Sequence, residues 1–227
     1  MTFLRERSAD FIVGRIAGAS ALGTFSLAAQ IASMPSTELV APINRALLPA
    51  YSRIGHEPAV LAKQFIAVMG GIAVVALPAV AGVAATAPWA ILLVLGPKWW
   101  EATLILEIMA FVGVTQVLQT NAYAAFLALG KPDVFVKINA FHVVVLVASL
   151  AILVPSLGVI GAAWAFMVAA VVALPVNFAM ISKFMGIRVG EFCQAVWRPL
   201  VSALVMFGVV RVAGPARPEA SMGSADA

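Results

Sequence analysis

Residues 20–50 read SALGTFSLAAQIASMPSTELVAPINRALLPA, and the rest of the chain is organised around them. No charged residue occurs from Ser20 to Thr37, yet the stretch is not uniformly apolar. Wound as a helix, Ser26, Gln30, Ser33, Thr37 and Asn44 follow one another at spacings of 4, 3, 4 and 7 and share one face. Glu38 and Arg45 sit on a neighbouring face. Pro35 and Pro42 each remove a backbone hydrogen bond, so the spacing predicts a bent rod. A long apolar helix with one polar stripe, two ions and proline bends fits the lining of a polar cavity inside a membrane.

Composition sets the solvent. Hydrophobic residues make up 63% of the 227 and charged residues 11%, with a mean hydropathy of +1.05. A soluble domain is nearer a quarter charged, so a chain this apolar cannot hide its surface in one core. At about 20 apolar residues per crossing, the expected fold is all-α: a polytopic helical membrane protein of about six spans. These lie near 20–50, 65–86, 103–130, 134–155, 159–182 and 195–213. Residues 1–18 read as the cut end of a preceding transmembrane helix and 214–227 as a disordered polar tail.

The net charge of +4 does not point to nucleic acid. Lys and Arg are scattered singly at the ends of apolar runs, with no patch to follow a phosphate backbone. They act instead as topology signals. Arg53, Lys63, Lys131, Lys137, Lys183 and Arg188 fall on one side, against Lys98, Arg211 and Arg217 on the other, which places the first set in the cytoplasm. The single cysteine, Cys193, excludes an internal disulfide and a cysteine-based metal site. No metal, nucleotide or nucleophile motif is present, so no cofactor and no enzyme activity are expected.

A second polar helix is predicted over 103–130. Thr115, Gln116, Gln119, Thr120 and Tyr123 fall within roughly 140° of one another, with Glu107 and Asn121 opposite. An arc that wide is costly against lipid and should face protein or water, with the two polar rods turned toward each other. The candidate cavity residues are therefore Arg45, Arg15, Gln30, Asn44, Gln116 and Gln119. Arg45 can hold an anionic head group through its guanidinium, or snorkel to the interface beside Glu38. Arg15 admits the same two accounts. Gln116 and Gln119 can meet sugar hydroxyls or tie helix to helix.

The stretch DFIVGRIAGASALGTFSLAAQIASMPSTELVAPINRALLPAYSRI, residues 10–54, resembles the middle of bacterial polysaccharide and O-antigen flippases. These are the Wzx-like branch of the multidrug/oligosaccharidyl-lipid/polysaccharide exporter superfamily. Asp10, Gly14, Arg15, Gly18, Ala21, Leu22, Gly23, Pro49, Ser52 and Arg53 match the family pattern, and Phe25 stands where tyrosine is usual. LGPKWWEA (95–102), ALGKPD (128–133) and SLGVIGAAWA (156–165) resemble later motifs of the family in the same order. The resemblance implies the C-terminal lobe of a two-lobe exporter that turns a lipid-pyrophosphate-linked oligosaccharide across the bacterial inner membrane by alternating access. It implies membrane lipids and that glycan as partners, with a missing N-terminal lobe or a second copy supplying the other wall. Alternatives are an incomplete or accessory membrane subunit without transport of its own, and a membrane-embedded transferase on lipid-linked sugars. The transferase would need acid, base or metal-ligand residues gathered at one membrane face, and the sequence has no such cluster.

Overall fold

The computed structural model describes residues 13–15, 18–100 and 102–213, with the backbone alone for Ala41, Leu118 and Thr120. The expectations for residues 1–12, for the tail at 214–227 and for the Thr120 side chain lie outside the described residues. Among the described residues there are only helices and short turns. A rod opens the chain: α1 (Ala19–Met34), a π-helical segment (Pro35–Val40) and α2 (Ala41–Ile54). It is followed by α3 (Pro58–Val94), a 3-10 turn (Pro97–Trp99), α4 (Ala102–Ala128), α5 (Pro132–Met185) and α6 (Val189–Ala213). By length and composition α3, α4, α5 and α6 can each cross a membrane. The protein is an all-α, multi-pass membrane protein.

At 54 residues, α5 would run about 80 Å if straight, far more than a hydrocarbon core of about 30 Å. It does not run straight. Near its start Phe135 meets Tyr123, and near its end Phe184 meets Phe126, with ring centroids 4.8 and 6.3 Å apart. Both partners lie within one turn of α4, so α5 folds back on itself. The reversal is at Gly158 (φ 60°, ψ −139°), a conformation that glycine alone adopts readily. Beyond it Gly161 lies so close to the Leu153 carbonyl that a Cβ would sit 2.1 Å from the oxygen. The short gap between the spans expected near 134–155 and 159–182 is this hairpin.

The other helices run further than expected. α3 begins at Pro58, before the expected 65, and continues through Pro78 and Pro88 to Val94, so only residues 55–57 separate it from the rod. The rod, α3, α4, the two arms of α5 (132–157 and 159–185) and α6 make six passages through one bundle. α4 is its axis, touching the rod, α3 and α5 along its length. Two core clusters stack along it: one around Tyr51, Phe65, Phe126 and Ile181 at the basic end, the other around Phe25, Ile91, Leu106 and Phe166. Much of both is alanine, from Ala73 and Ala76 to Ala162, Ala165 and Ala169. In lipid, where apolar side chains gain little by leaving the solvent, such small residues let helix backbones approach and gain dispersion contact.

Candidate functional site

The rod's inward face sets where its polar groups point. Its buried positions are Phe25, Ala28, Ala32, Pro35, Val40, Leu47 and Tyr51. The steps are helical except for the five residues from Pro35 to Val40. That step is the π turn: its i→i+5 bonding takes in one extra residue and swings everything beyond it by about 100°. On α1 the outer face is as expected, with Ser26 and Gln30 exposed and Ser33 half-buried, and Thr37 continues it in the π turn. Asn44 is a correction. It leaves that stripe and joins Val40, Leu47 and Tyr51 on the inward face, where its Oδ1 is buried without a hydrogen-bond partner. Arg45, one position further round, is exposed on the outer side and has no ion pair among the described residues.

Two hydroxyls of the outer stripe, those of Ser33 and Thr37, are turned back on their own helix. Ser33 Oγ donates to the Gln30 carbonyl at 2.9 Å. Thr37 Oγ1 lies 3.3 Å from both the Ser33 and Met34 carbonyls and 3.4 Å from Glu38 Oε1. The hydroxyl of Ser26, the amide of Gln30 and the guanidinium of Arg45 are left with donors to offer a ligand. Arg15 is exposed, in the short helical stretch before Gly18.

The second polar helix does not turn its whole arc toward the rod, and Gln119 takes the helix-to-helix role. Thr115 Oγ1 donates to the Val112 carbonyl at 2.7 Å and is buried. Gln119 accepts a 3.2 Å hydrogen bond from Asn177 Nδ2 and so faces the second arm of α5. The structure does not bring Gln119 together with Gln30 and Ser33, because they lie on opposite sides of α4. Gln116, half-buried, comes closer by register: it is one turn past Gly113, whose Cβ would lie 3.7 Å from the Ala32 carbonyl of the rod. Beside Gln119 and Asn177 lies an apolar cavity of about 290 Å³, bounded by Leu174, Phe178, Ile181 and Phe192.

Two side-chain links are not legible in the sequence. Asn121 is fully buried, accepting from Tyr51 Oη at 3.0 Å and donating to the Phe65 carbonyl at 3.2 Å, and so fastens α2 and α3 to α4. Glu107 pairs with Arg211 of α6, each side chain about one-fifth exposed. The partners are 104 residues apart, and helical periodicity relates only residues within one helix. The only available signal was that Asn121 and Glu107 stand on the otherwise apolar side of α4.

Residues 1–104 match the family profile described as "Polysaccharide biosynthesis protein". The chain is 26% identical to the teichuronic acid biosynthesis protein TuaB of Bacillus subtilis over 202 residues, covering 87% of this chain and 42% of that protein. It is 23% identical to the lipopolysaccharide biosynthesis protein WzxC of Escherichia coli, covering 90% and 42%. A membrane protein of the cps region of Klebsiella pneumoniae is 25% identical, over 86% and 40%. The chain thus spans about two-fifths of the length of the curated relatives it matches. No solved structure matches.

Proposed function

Taking the chain as a relative of the polysaccharide biosynthesis membrane proteins, we propose that it forms one lobe of an exporter. Its cargo is a lipid-linked oligosaccharide, a polysaccharide or O-antigen precursor, moved across the bacterial inner membrane by alternating access. The observation that carries this is the rod's uncovered polar face. Ser26, Gln30, Thr37, Glu38 and Arg45 are exposed, while the lobe's other helices cover the opposite side. Insertion scales put an ionised side chain at mid-membrane at about 2.5–3.5 kcal/mol, so Glu38 and Arg45 favour a water-filled cleft over lipid. A second lobe, or a second copy, is the other wall of that cleft.

Within the cleft Arg45 pairs with the cargo's phosphate, for which a planar guanidinium is the best-matched side chain. Gln30 and Gln116 meet sugar hydroxyls. Gln119, engaged with Asn177, ties α4 to α5 instead. The basic end, with Arg53, Lys63, Lys131, Lys137, Lys183 and Arg188, faces the cytoplasm.

The test is thiol accessibility in a Cys193→Ser background. Cysteines placed at Gln30 and Thr37 should react in native membranes with a hydrophilic, membrane-impermeant maleimide. A cysteine at Val144, exposed on the outside of α5, should stay unreactive. Deleting the gene should leave lipid-linked glycan in the inner leaflet. Unreactive Gln30 and Thr37 positions, or glycan assembly unchanged by the deletion, would overturn the proposal.

A further inference from the structure

The cavity beside Gln119 lies away from the rod's polar face, on the far side of α4. Its walls come from the second arm of α5 and the start of α6: Leu174, Phe178, Ile181, Val189 and Phe192. The Phe178 and Phe192 rings pack at 5.4 Å and hold the two helices together. The one polar element is the Gln119–Asn177 amide pair. At about 290 Å³ the space is at the lower limit of ligand pockets. It offers a glycan almost no hydrogen-bonding groups. Empty, it would leave its lining without dispersion contacts that a hydrocarbon chain can supply.

Three cations stand at the basic end of this cavity. Phe184 is one turn beyond Ile181 on the same face of α5, and its ring carries Lys131 Nζ at 4.1 Å and Lys183 Nζ at 5.8 Å from the centroid. Arg188 immediately precedes the lining residue Val189. All three are exposed, and none has a carboxylate in ion-pair range among the described residues. By contrast the nearby Lys137 is paired with Asp133 at 3.5 Å. The nearest acid on α6, Glu191, accepts from the Arg188 backbone N–H at 3.2 Å. Uncompensated positive charge at the rim of an apolar slot matches an amphiphile with an anionic head.

We infer that this cavity seats one acyl chain of an anionic phospholipid, with Lys131, Lys183 and Arg188 holding its phosphate. The site needs no transport activity and does not depend on the polar cleft. The occupant is a bilayer lipid and not the polyprenyl carrier, because the pocket has room for part of one chain and nothing to recognise a sugar.

The purified chain in detergent, titrated with lipid and followed by native mass spectrometry, tests this. Phosphatidylglycerol should be retained at lower concentration than phosphatidylcholine of the same chain length. Each Lys→Gln or Arg→Gln change at 131, 183 and 188 should raise the half-saturating phosphatidylglycerol concentration about fivefold. The triple variant should no longer separate the two lipids. Val189→Trp, at a position 61% exposed and so tolerant of bulk, should block the mouth and lower retention of both. Equal retention of the two lipids by the wild type would overturn the assignment. So would undiminished selectivity in the triple variant, unchanged retention in Val189→Trp, or stronger retention of a polyprenyl phosphate than of phosphatidylglycerol.

Discussion

Replacing Asn121 tests whether the bundle is fastened where α2, α3 and α4 meet. The side chain is fully buried and makes two interhelical hydrogen bonds, with Tyr51 Oη at 3.0 Å and the Phe65 carbonyl at 3.2 Å. In water-soluble proteins each bond contributes about 1 kcal/mol. Between membrane helices the average is nearer 0.6 kcal/mol, because the dissociated helices find other partners. The Phe65 carbonyl also lies within α3 and accepts from its own helix, so its loss is the smaller. Among the described residues the Tyr51 hydroxyl has no other partner, and it would be stranded, at roughly 1–3 kcal/mol. Asn121→Ala should therefore destabilise by about 2 kcal/mol and Tyr51→Phe by about 1 kcal/mol. The double variant should cost clearly less than the two added together, since removing the hydroxyl also removes the stranded group. Thermal unfolding of a fluorescent fusion in detergent, followed by size-exclusion chromatography, measures all three against the wild type. Additive losses would show that the two side chains do not meet as described, and the fastening would be refuted.

Gly158→Ala and Gly161→Ala should each lower the yield of folded monomer: the first forces a side chain into a conformation costing about 1–3 kcal/mol, the second drives a Cβ into the Leu153 carbonyl. Equal melting temperatures for wild type and variants would refute the hairpin geometry. Arg211→Gln should cost about 2 kcal/mol by leaving Glu107 half-buried and unpaired, and adding Glu107→Gln should recover part of the loss; a further loss in the double variant would argue against the pair. Deleting Thr37 from the π turn should leave melting within about 5 °C of the wild type, roughly 1–2 kcal/mol, because a step of four then replaces the step of five. Deleting Ala29 from α1, which has no extra residue to give up, should abolish the folded monomer, and equal effects of the two deletions would remove the π turn's role.

What could be read from the sequence was whatever a uniform helix preserves. The outer stripe on α1 is in place because Ser26, Gln30 and Ser33 precede the π turn, and 100° per residue holds there. Asn44 was misplaced because the same rule was carried through Pro35–Val40, where the backbone takes one residue more per turn. The structure's burial pattern records the shift, which two adjacent apolar residues hide in the sequence: Leu39, where a helical step of four from Pro35 would fall, is 41% exposed, and Val40 is 1% exposed. Gln119 ties helix to helix, one of its two expected roles, but its partner helix was not legible for a different reason. Periodicity says that a polar arc faces something, but not which helix; that depended on α5 folding back at Gly158 and bringing Asn177 alongside. The Glu107–Arg211 and Tyr51–Asn121 links depend on packing between helices far apart in sequence.

The rod's bend follows from its contacts, and the exposed polar apex follows from the bend. α2 ends against α4 where Gly55 meets the Ala128 carbonyl, and α1 touches α4 where the Ala32 carbonyl meets Gly113. Between those points the rod has 23 residues, about 34 Å of straight helix, while α4 has 15, about 22 Å. The surplus goes into a bend whose inner side, at Pro35 and Val40, stays packed on α3 and α4. It forms where the backbone is least able to resist, between Pro35 and Pro42, each lacking a donor N–H. Thr37, Glu38 and Leu39 stand at its outer crest, all three exposed.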